Sequence, residues 1–174
     1  MAVKKDLAFV FPGQGSQKVG MLAGFGETDV FQSVFTEASE VLGYDLWSLI
    51  QNGEQEKLNM TEVTQPALLT SSVAIWRLWC DQGGVVPACV AGHSLGEWSA
   101  LVAAGVVSLS DAVKLVQLRG RYMQEAVPAG VGAMAAIIGL DDAVVEDVCD
   151  KAEKESGEGE VCSAVNYNLS LIHI

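Results

Sequence analysis

Ser94 has the surroundings in this chain best suited to chemistry. It lies in Gly92-His93-Ser94-Leu95-Gly96, after an apolar run over 85–91 and before a helical pattern over 97–104. Between a strand and a helix, a G-x-S-x-G spacing forms a nucleophile elbow. The turn is so tight that its neighbours must lack side chains, and the serine hydroxyl is lifted clear of the sheet. The helix that follows points its positive end and free N–H groups at the oxygen that gains charge during acyl transfer. The N–H of Leu95 is one natural oxyanion donor. Five residues can recur by chance, so the spacing alone leaves two readings open, a nucleophile and a structural turn serine.

A serine nucleophile needs a base to take its proton. The chain has two histidines, His93 and His173. His93 precedes the nucleophile on the same turn, so its ring is expected to point away from the hydroxyl. His173 stands next to last in a segment of different character. The base is therefore expected to be missing from this chain. Cys80, Cys89, Cys149 and Cys162 form no C-x-x-C pair, and with two histidines they make no metal-ligand cluster. They are expected to be small reduced core residues. Neither a metal nor a cofactor is expected.

The elements that must position Ser94 alternate between strand and helix signals, so the fold class is α/β. A short buried strand over 7–11 runs into the loop Pro12-Gly-Gln-Gly-Ser16. Phe31, Val34, Phe35, Ala38 and Leu42 recur at helical spacing over 30–42, with Gly43 as the stop. A second helix is expected over 66–82, capped by Thr64, with Pro66 in its first turn and Gly83-Gly84 at its end. The strand before the elbow spans 85–91. A helix from Ser110-Asp111 to about Ala126 carries Arg119 and Arg121. Pro128-Ala-Gly130 marks a break, and beyond it strand 132–138, helix 141–155 and strand 161–165 suggest a small β-α-β unit.

The bulk composition limits the function classes. Half of the 174 residues are apolar and the net charge is −12, so a nucleic-acid partner is not expected. Nine carboxylates over 141–160 face only Lys151 and Lys154, a pattern read as a solvated helix face. No apolar run approaches the ~18 residues of a membrane span. A cytoplasmic protein with no membrane partner is expected.

Five ordered blocks are similar to the malonyl-CoA:acyl-carrier-protein transacylase family of type II fatty acid synthesis. They are Phe9-Val-Phe-Pro-Gly-Gln-Gly-Ser-Gln17, Thr64-Gln-Pro-Ala-Leu68, Ala91-Gly-His-Ser-Leu-Gly-Glu97, Gln117-Leu-Arg-Gly120 followed by Met123-Gln-Glu-Ala-Val-Pro128, and Gly132-Ala-Met-Ala-Ala-Ile-Ile-Gly-Leu140. The likeness covers residues 6 to about 168. It implies an α/β-hydrolase-like large subdomain with a parallel sheet over 1–127 and the start of a ferredoxin-like small subdomain over 128–168. It also implies that Ser94 attacks the thioester of malonyl-CoA and holds malonyl as an ester. Backbone N–H groups of Gln14 and Leu95 would form the oxyanion hole, and Arg119 would bind the malonyl carboxylate. Gln65 would line the pocket and His93 would help shape the elbow. Coenzyme A would leave, and the phosphopantetheine thiol of acyl carrier protein would take the malonyl group. Because the carrier proteins are acidic, Lys114, Arg119 and Arg121 are the local positive charges expected near the mouth.

The same resemblance implies a longer protein, monomeric at full length, with the catalytic histidine in its second half. After Asn168 the family pattern continues with a serine-proline-glycine turn, whereas here the sequence reads Leu169-Ser-Leu-Ile-His-Ile174. Those six residues are expected to be a foreign tail, and the chain alone is expected to be inactive. Three other readings share the elbow. They are an α/β-hydrolase-type esterase or thioesterase, a polyketide acyltransferase domain, and a catalytically dead fragment that binds carrier protein.

Overall fold

A computed structural model of the chain describes residues 3–26, 28–127, 130–157 and 159–167. The tail over 169–174, with His173, and Pro128-Ala129 of the expected break lie outside the described residues. The order of elements is β1 (Val3–Phe11), α1 (Asp29–Leu42), α2 (Leu46–Asn52), α3 (Gln55–Leu58), α4 (Thr61–Asp81), β2 (Val86–Gly92), α5 (Leu95–Ala103), α6 (Leu109–Ala126) and α7 (Asp142–Ser156). The chain divides into two compact units, Met1–Val131 and Gly132–Ile174. The sequence pattern had placed a boundary at 127/128.

In the first unit, β1 and β2 pair in parallel, which requires a long crossover; α1 to α4 supply it. The register sets Phe9 beside Val90, Val10 beside Ala91 and Phe11 beside Gly92. Both strands therefore end at the same level, and the loops leaving them emerge side by side. Ligand sites in α/β sheets form at this carboxyl edge. Strand β1 starts at Val3 rather than at residue 7, because Val3 and Lys4 find partners in Val86 and Pro87.

The core lies among the helices. On α1 the buried residues Phe31, Val34, Phe35 and Ala38 make one helical stripe, as their spacing predicted. On α6, Leu109, Ala112, Val113, Val116 and Gly120 make another. Both face α4, which is buried almost all round from Val63 to Ala74 and is also contacted by α5. A helix buried on nearly every side belongs at the centre of a unit, and this part of α4 occupies that place. It begins five residues before the expected start, so Pro66 stands in the second turn and Thr64 inside the helix rather than at its cap. Tertiary contact overrides the local signal here. The backbone of Thr61 and Glu62 lies directly against Gly120 of α6, and the Thr64 hydroxyl donates to the carbonyl of Leu58 at 2.5 Å.

In the second unit only the helix of the expected β-α-β unit forms. The segments 132–138 and 161–165 are irregular, a correction to the strands expected there. A strand is defined by the ladder that satisfies its backbone, and neither segment has a paired neighbour among the described residues. Met134 and Ile138 are accordingly exposed.

Candidate active site

Ser94 stands at the junction of β2 and α5 with φ 53° and ψ −110°. Such a backbone is costly for a residue with a side chain and persists only where the surroundings enforce it. Two glycines do so. A Cβ on Gly92 would lie 2.1 Å from the carbonyl of Gly96, and one on Gly96 would lie 2.2 Å from the carbonyl of Phe11. The elbow is thus closed on itself and pressed against the end of β1. The turn is held by Gly96 N–H donating to the His93 carbonyl at 2.9 Å. The Leu95 N–H, at the start of α5, is engaged in no turn or loop bond among the described residues, and Ser94 makes no side-chain cap. Partly positive N–H groups therefore remain at the end of the helix nearest the serine.

Helix α6 brings Arg119 to this point. Gly120 allows the close approach, since a Cβ there would lie 2.6 Å from Glu62 Cα and from the Thr61 carbonyl oxygen. With α6 seated on α4, the guanidinium of Arg119 spans two elements. Its Nη1 donates to Gln65 Oε1 at 2.7 Å, and its Nη2 donates to Ser94 Oγ at 2.9 Å. Gln65 is fully buried on α4, and its other amide atom, Nε2, donates to Met123 Sδ at 3.2 Å. Because a guanidinium only donates, Gln65 must turn its oxygen to Arg119 and its nitrogen to the sulfur. Among the described residues Arg119 forms no salt bridge, in contrast to Arg77 with Glu37 and Arg121 with Glu62. The site sets the Ser94 hydroxyl beside a cation that has no carboxylate partner among the described residues.

The structure thus brings together Ser94, Arg119 and Gln65, with Leu95 next in chain. Gln14 lies on the exposed loop after β1, and its Nε2 stands 3.4 Å from Thr61 Oγ1. That loop touches the elbow: a Cβ on Gly13 would lie 3.2 Å from the His93 carbonyl. His93 is exposed and contributes its carbonyl to the turn, and its ring makes no hydrogen bond to Ser94 among the described residues. Sequence reasoning did not assign roles to Met123 and Gly120. Met123 follows Arg119 by one helical turn, and that spacing was the available signal. Beside Arg119 an open, largely apolar groove of about 500 Å³ is lined by Trp98, Leu115, Leu118, Tyr122, Met123 and Ala126. Among the described residues no group of three His, Cys, Asp or Glu could hold a metal ion, and no helix is long and apolar enough to cross a membrane.

Residues 8–154 match the family model described as "Acyl transferase domain". The chain is similar to a malonyl CoA-acyl carrier protein transacylase of Salmonella typhimurium, at 60% identity over 94% of this chain and 52% of the relative. Among solved structures, it resembles a malonyl-CoA:acyl carrier protein transacylase from Xanthomonas oryzae, with a TM-score of 0.85 and 59% identity. That match covers 88% of this chain and 49% of the other. It also resembles a malonyl-transacylase solved in complex with its type II PKS acyl-carrier protein, at 56% identity and a TM-score of 0.82 over 85% of this chain and 48% of that one. The chain spans about half the length of the curated relatives it matches.

Proposed function

The chain belongs to the acyl transferase domain family, and from that premise we propose that it carries the serine half of a malonyl-CoA:acyl-carrier-protein transacylase. Ser94 takes malonyl from malonyl-CoA as an ester and releases coenzyme A, and the phosphopantetheine thiol of acyl carrier protein then removes the malonyl group. The contact of the Arg119 guanidinium with Ser94 Oγ at 2.9 Å, with no carboxylate on Arg119 among the described residues, carries this reading. An arginine fork fits a carboxylate through two parallel hydrogen bonds. The malonyl carboxylate would take the Nη2 that now faces the serine, while Gln65 keeps Nη1 in place. Acetyl would leave the cation without a partner, at a cost that favours malonyl. As the thioester carbonyl becomes tetrahedral, its oxygen would meet the N–H of Leu95, with that of Gln14 as the second donor.

The reading calls for no cofactor, and it places the reaction in fatty acid synthesis in the cytoplasm of the cell. Lys114 and Arg121 are the positive charges available to an acidic carrier protein near Arg119. Arg121 lies 3.8 Å from Glu62 and is half exposed, so its charge is only loosely engaged. The full-length protein would act as a monomer. Among the described residues His93 is the only histidine and its ring makes no hydrogen bond to Ser94; in this reading the base belongs to the second half of the full-length protein, so acylation by this chain alone would be slow.

The test is a hybrid in which residues 1–168 replace the corresponding part of the Salmonella relative. It should transfer malonyl to acyl carrier protein, and Ser94→Ala should reduce the transfer by roughly 10⁴-fold or more. A folded hybrid that hydrolyses a neutral ester, with no dependence on Arg119, would instead identify an esterase.

A further inference from the structure

The loop that leaves β1 carries Gln14 past the elbow, and side-chain amides hold its shape. Two of its backbone N–H groups are taken by glutamines: Gly15 N–H donates to Gln17 Oε1 at 2.8 Å, and Val19 N–H donates to Gln55 Oε1 at 2.9 Å. Each glutamine then turns its nitrogen to one common acceptor. Gln17 Nε2 donates to Asn59 Oδ1 at 3.1 Å, and Gln55 Nε2 donates to the same oxygen at 2.9 Å. An amide oxygen accepts and an amide nitrogen donates, so the two backbone N–H groups dictate that both glutamines present nitrogen to position 59. Asn59 must answer with its oxygen, and its own Nδ2 makes no hydrogen bond among the described residues. The four bonds form one chain from Gly15 to Val19, with Asn59 at its midpoint.

The corner that bears Asn59 is itself fixed. The Asn59 N–H donates to the Gln55 carbonyl at 2.9 Å, closing α3, and two residues later Thr61 opens α4. Thr61 also presents its carbonyl to Gly120, where α6 seats with Arg119, and the Gln14 side-chain amide stands 3.4 Å from its hydroxyl. One corner therefore locates both the loop and the helix of Arg119. With the Gly15 N–H occupied, the Gln14 N–H is left without a hydrogen bond among the described residues, on a loop whose Gly13 lies against the His93 carbonyl.

We propose that Asn59 is a positioning residue: through Gln17 and Gln55 it holds the loop over 13–19 so that the N–H of Gln14 faces the oxygen that gains charge at Ser94. The inference rests on the oxyanion role given to Gln14 under the proposed function, and it adds a residue that touches neither Ser94 nor the substrate. A donor aimed at a developing charge helps most when it is in place before the charge appears. The role asks of Asn59 only an acceptor oxygen, so aspartate should fill it and alanine should not.

The experiment measures single-turnover acylation of Ser94 in the hybrid protein, from malonyl-CoA and from p-nitrophenyl acetate. The neutral ester needs the oxyanion donors but no carboxylate site, so it reports on the clamp even in a protein that does not take malonyl. Asn59→Ala should slow both acylations by a similar factor, roughly 10-fold, with the half-saturating concentration of malonyl-CoA unchanged. Asn59→Asp should restore most of the rate. Gln17→Ala should slow both reactions as well, and adding Asn59→Ala to it should do little more, as expected of residues that act in one chain. Hydrogen exchange over residues 13–20 should quicken in Asn59→Ala and not in Asn59→Asp, with exchange in α4 unchanged. Full-rate acylation by Asn59→Ala would overturn the proposal, and so would equal slowing by the alanine and aspartate variants. A loss confined to malonyl would overturn it too, because the oxyanion is common to both donors. A hybrid acylated by the neutral ester alone would sink the transacylase reading and leave the clamp to be judged on that donor.

Discussion

The helical core and the strand edge of the first unit place their contributions to the site by different means. Arg119 and Gln65 come from α6 and α4, helices whose inner faces are fully buried and which hold position by packing. Ser94 comes from a two-stranded sheet with much exposed surface, where even Val10 is 74% exposed. What fixes the serine is backbone sterics: Gly92 closes on Gly96 within the turn, and Gly96 presses on the end of β1. The comparison teaches that the serine is set by close backbone approach at the strand ends and its neighbouring cation by the packing of whole helices. Damage to the two regions should therefore have different signatures, one in chemistry with stability kept and the other in stability first.

The largest expected effect is on the packed side. Leu69 is wholly buried on α4, so Leu69→Ala should cost about 2–5 kcal/mol in urea unfolding, whereas Val10→Ala on the sheet should change stability by less than about 0.5 kcal/mol. Equal losses at the two sites would erase the distinction. On the elbow side, Gly96→Ala forces a Cβ to within 2.2 Å of the Phe11 carbonyl. A displacement of the order of an ångström at Ser94 should slow malonyl-ester formation in the hybrid by roughly 10²-fold or more. Gly24→Ala, where nothing lies within 4 Å, is the matched control and should acylate at the parent rate.

A smaller effect comes from Tyr44, whose hydroxyl is buried without a partner and whose pKa is pushed up to about 12 by burial and by the negative Glu62. A raised folded-state pKa means that the unfolded chain releases the proton first, near pH 10. Stability is thus kept below that pH and lost as pH rises from about 10 to about 12, by on the order of 1 kcal/mol after allowance for partial exposure. Tyr44→Phe should flatten that part of the alkaline unfolding curve; an unchanged slope would remove Tyr44 from the account. The smallest effect is at Glu37, which accepts from Arg77 at 3.1 Å and from the Ser110 hydroxyl at 2.8 Å, joining α1, α4 and α6 at a partly exposed surface. Glu37→Ala should cost only about 0.2–1 kcal/mol by the same urea measurement. A loss as large as that of Leu69→Ala would mean that polar joints, rather than the buried stripe, hold the helices.

The same division decides what the sequence made legible. The elbow could be read because its geometry needs glycines at fixed offsets, and the stripes of α1 and α6 because helical spacing is local. Arg119 could not be told from a solvated helix residue by spacing. Its role depends on how closely α6 approaches α4, which Gly120 permits and which no pattern within α6 announces. The start of α4 differs for the same reason, since Thr64 and Pro66 give a local start signal that tertiary contact overrides. The apolar runs over 132–138 and 161–165 looked like strands, yet a strand also needs a neighbour, and apolar character does not supply one.

The most direct test of the central claim is a single-turnover comparison of malonyl-CoA and acetyl-CoA as acyl donors to Ser94 in the hybrid protein, before and after Arg119→Ala. If Arg119 serves the acyl carboxylate, the substitution should slow malonyl-ester formation by roughly 10- to 10²-fold and leave acetyl-ester formation unchanged or faster. An equal loss for both donors would contradict the assignment, because Arg119 would then be supporting Ser94 itself and not reading the charge of the acyl group.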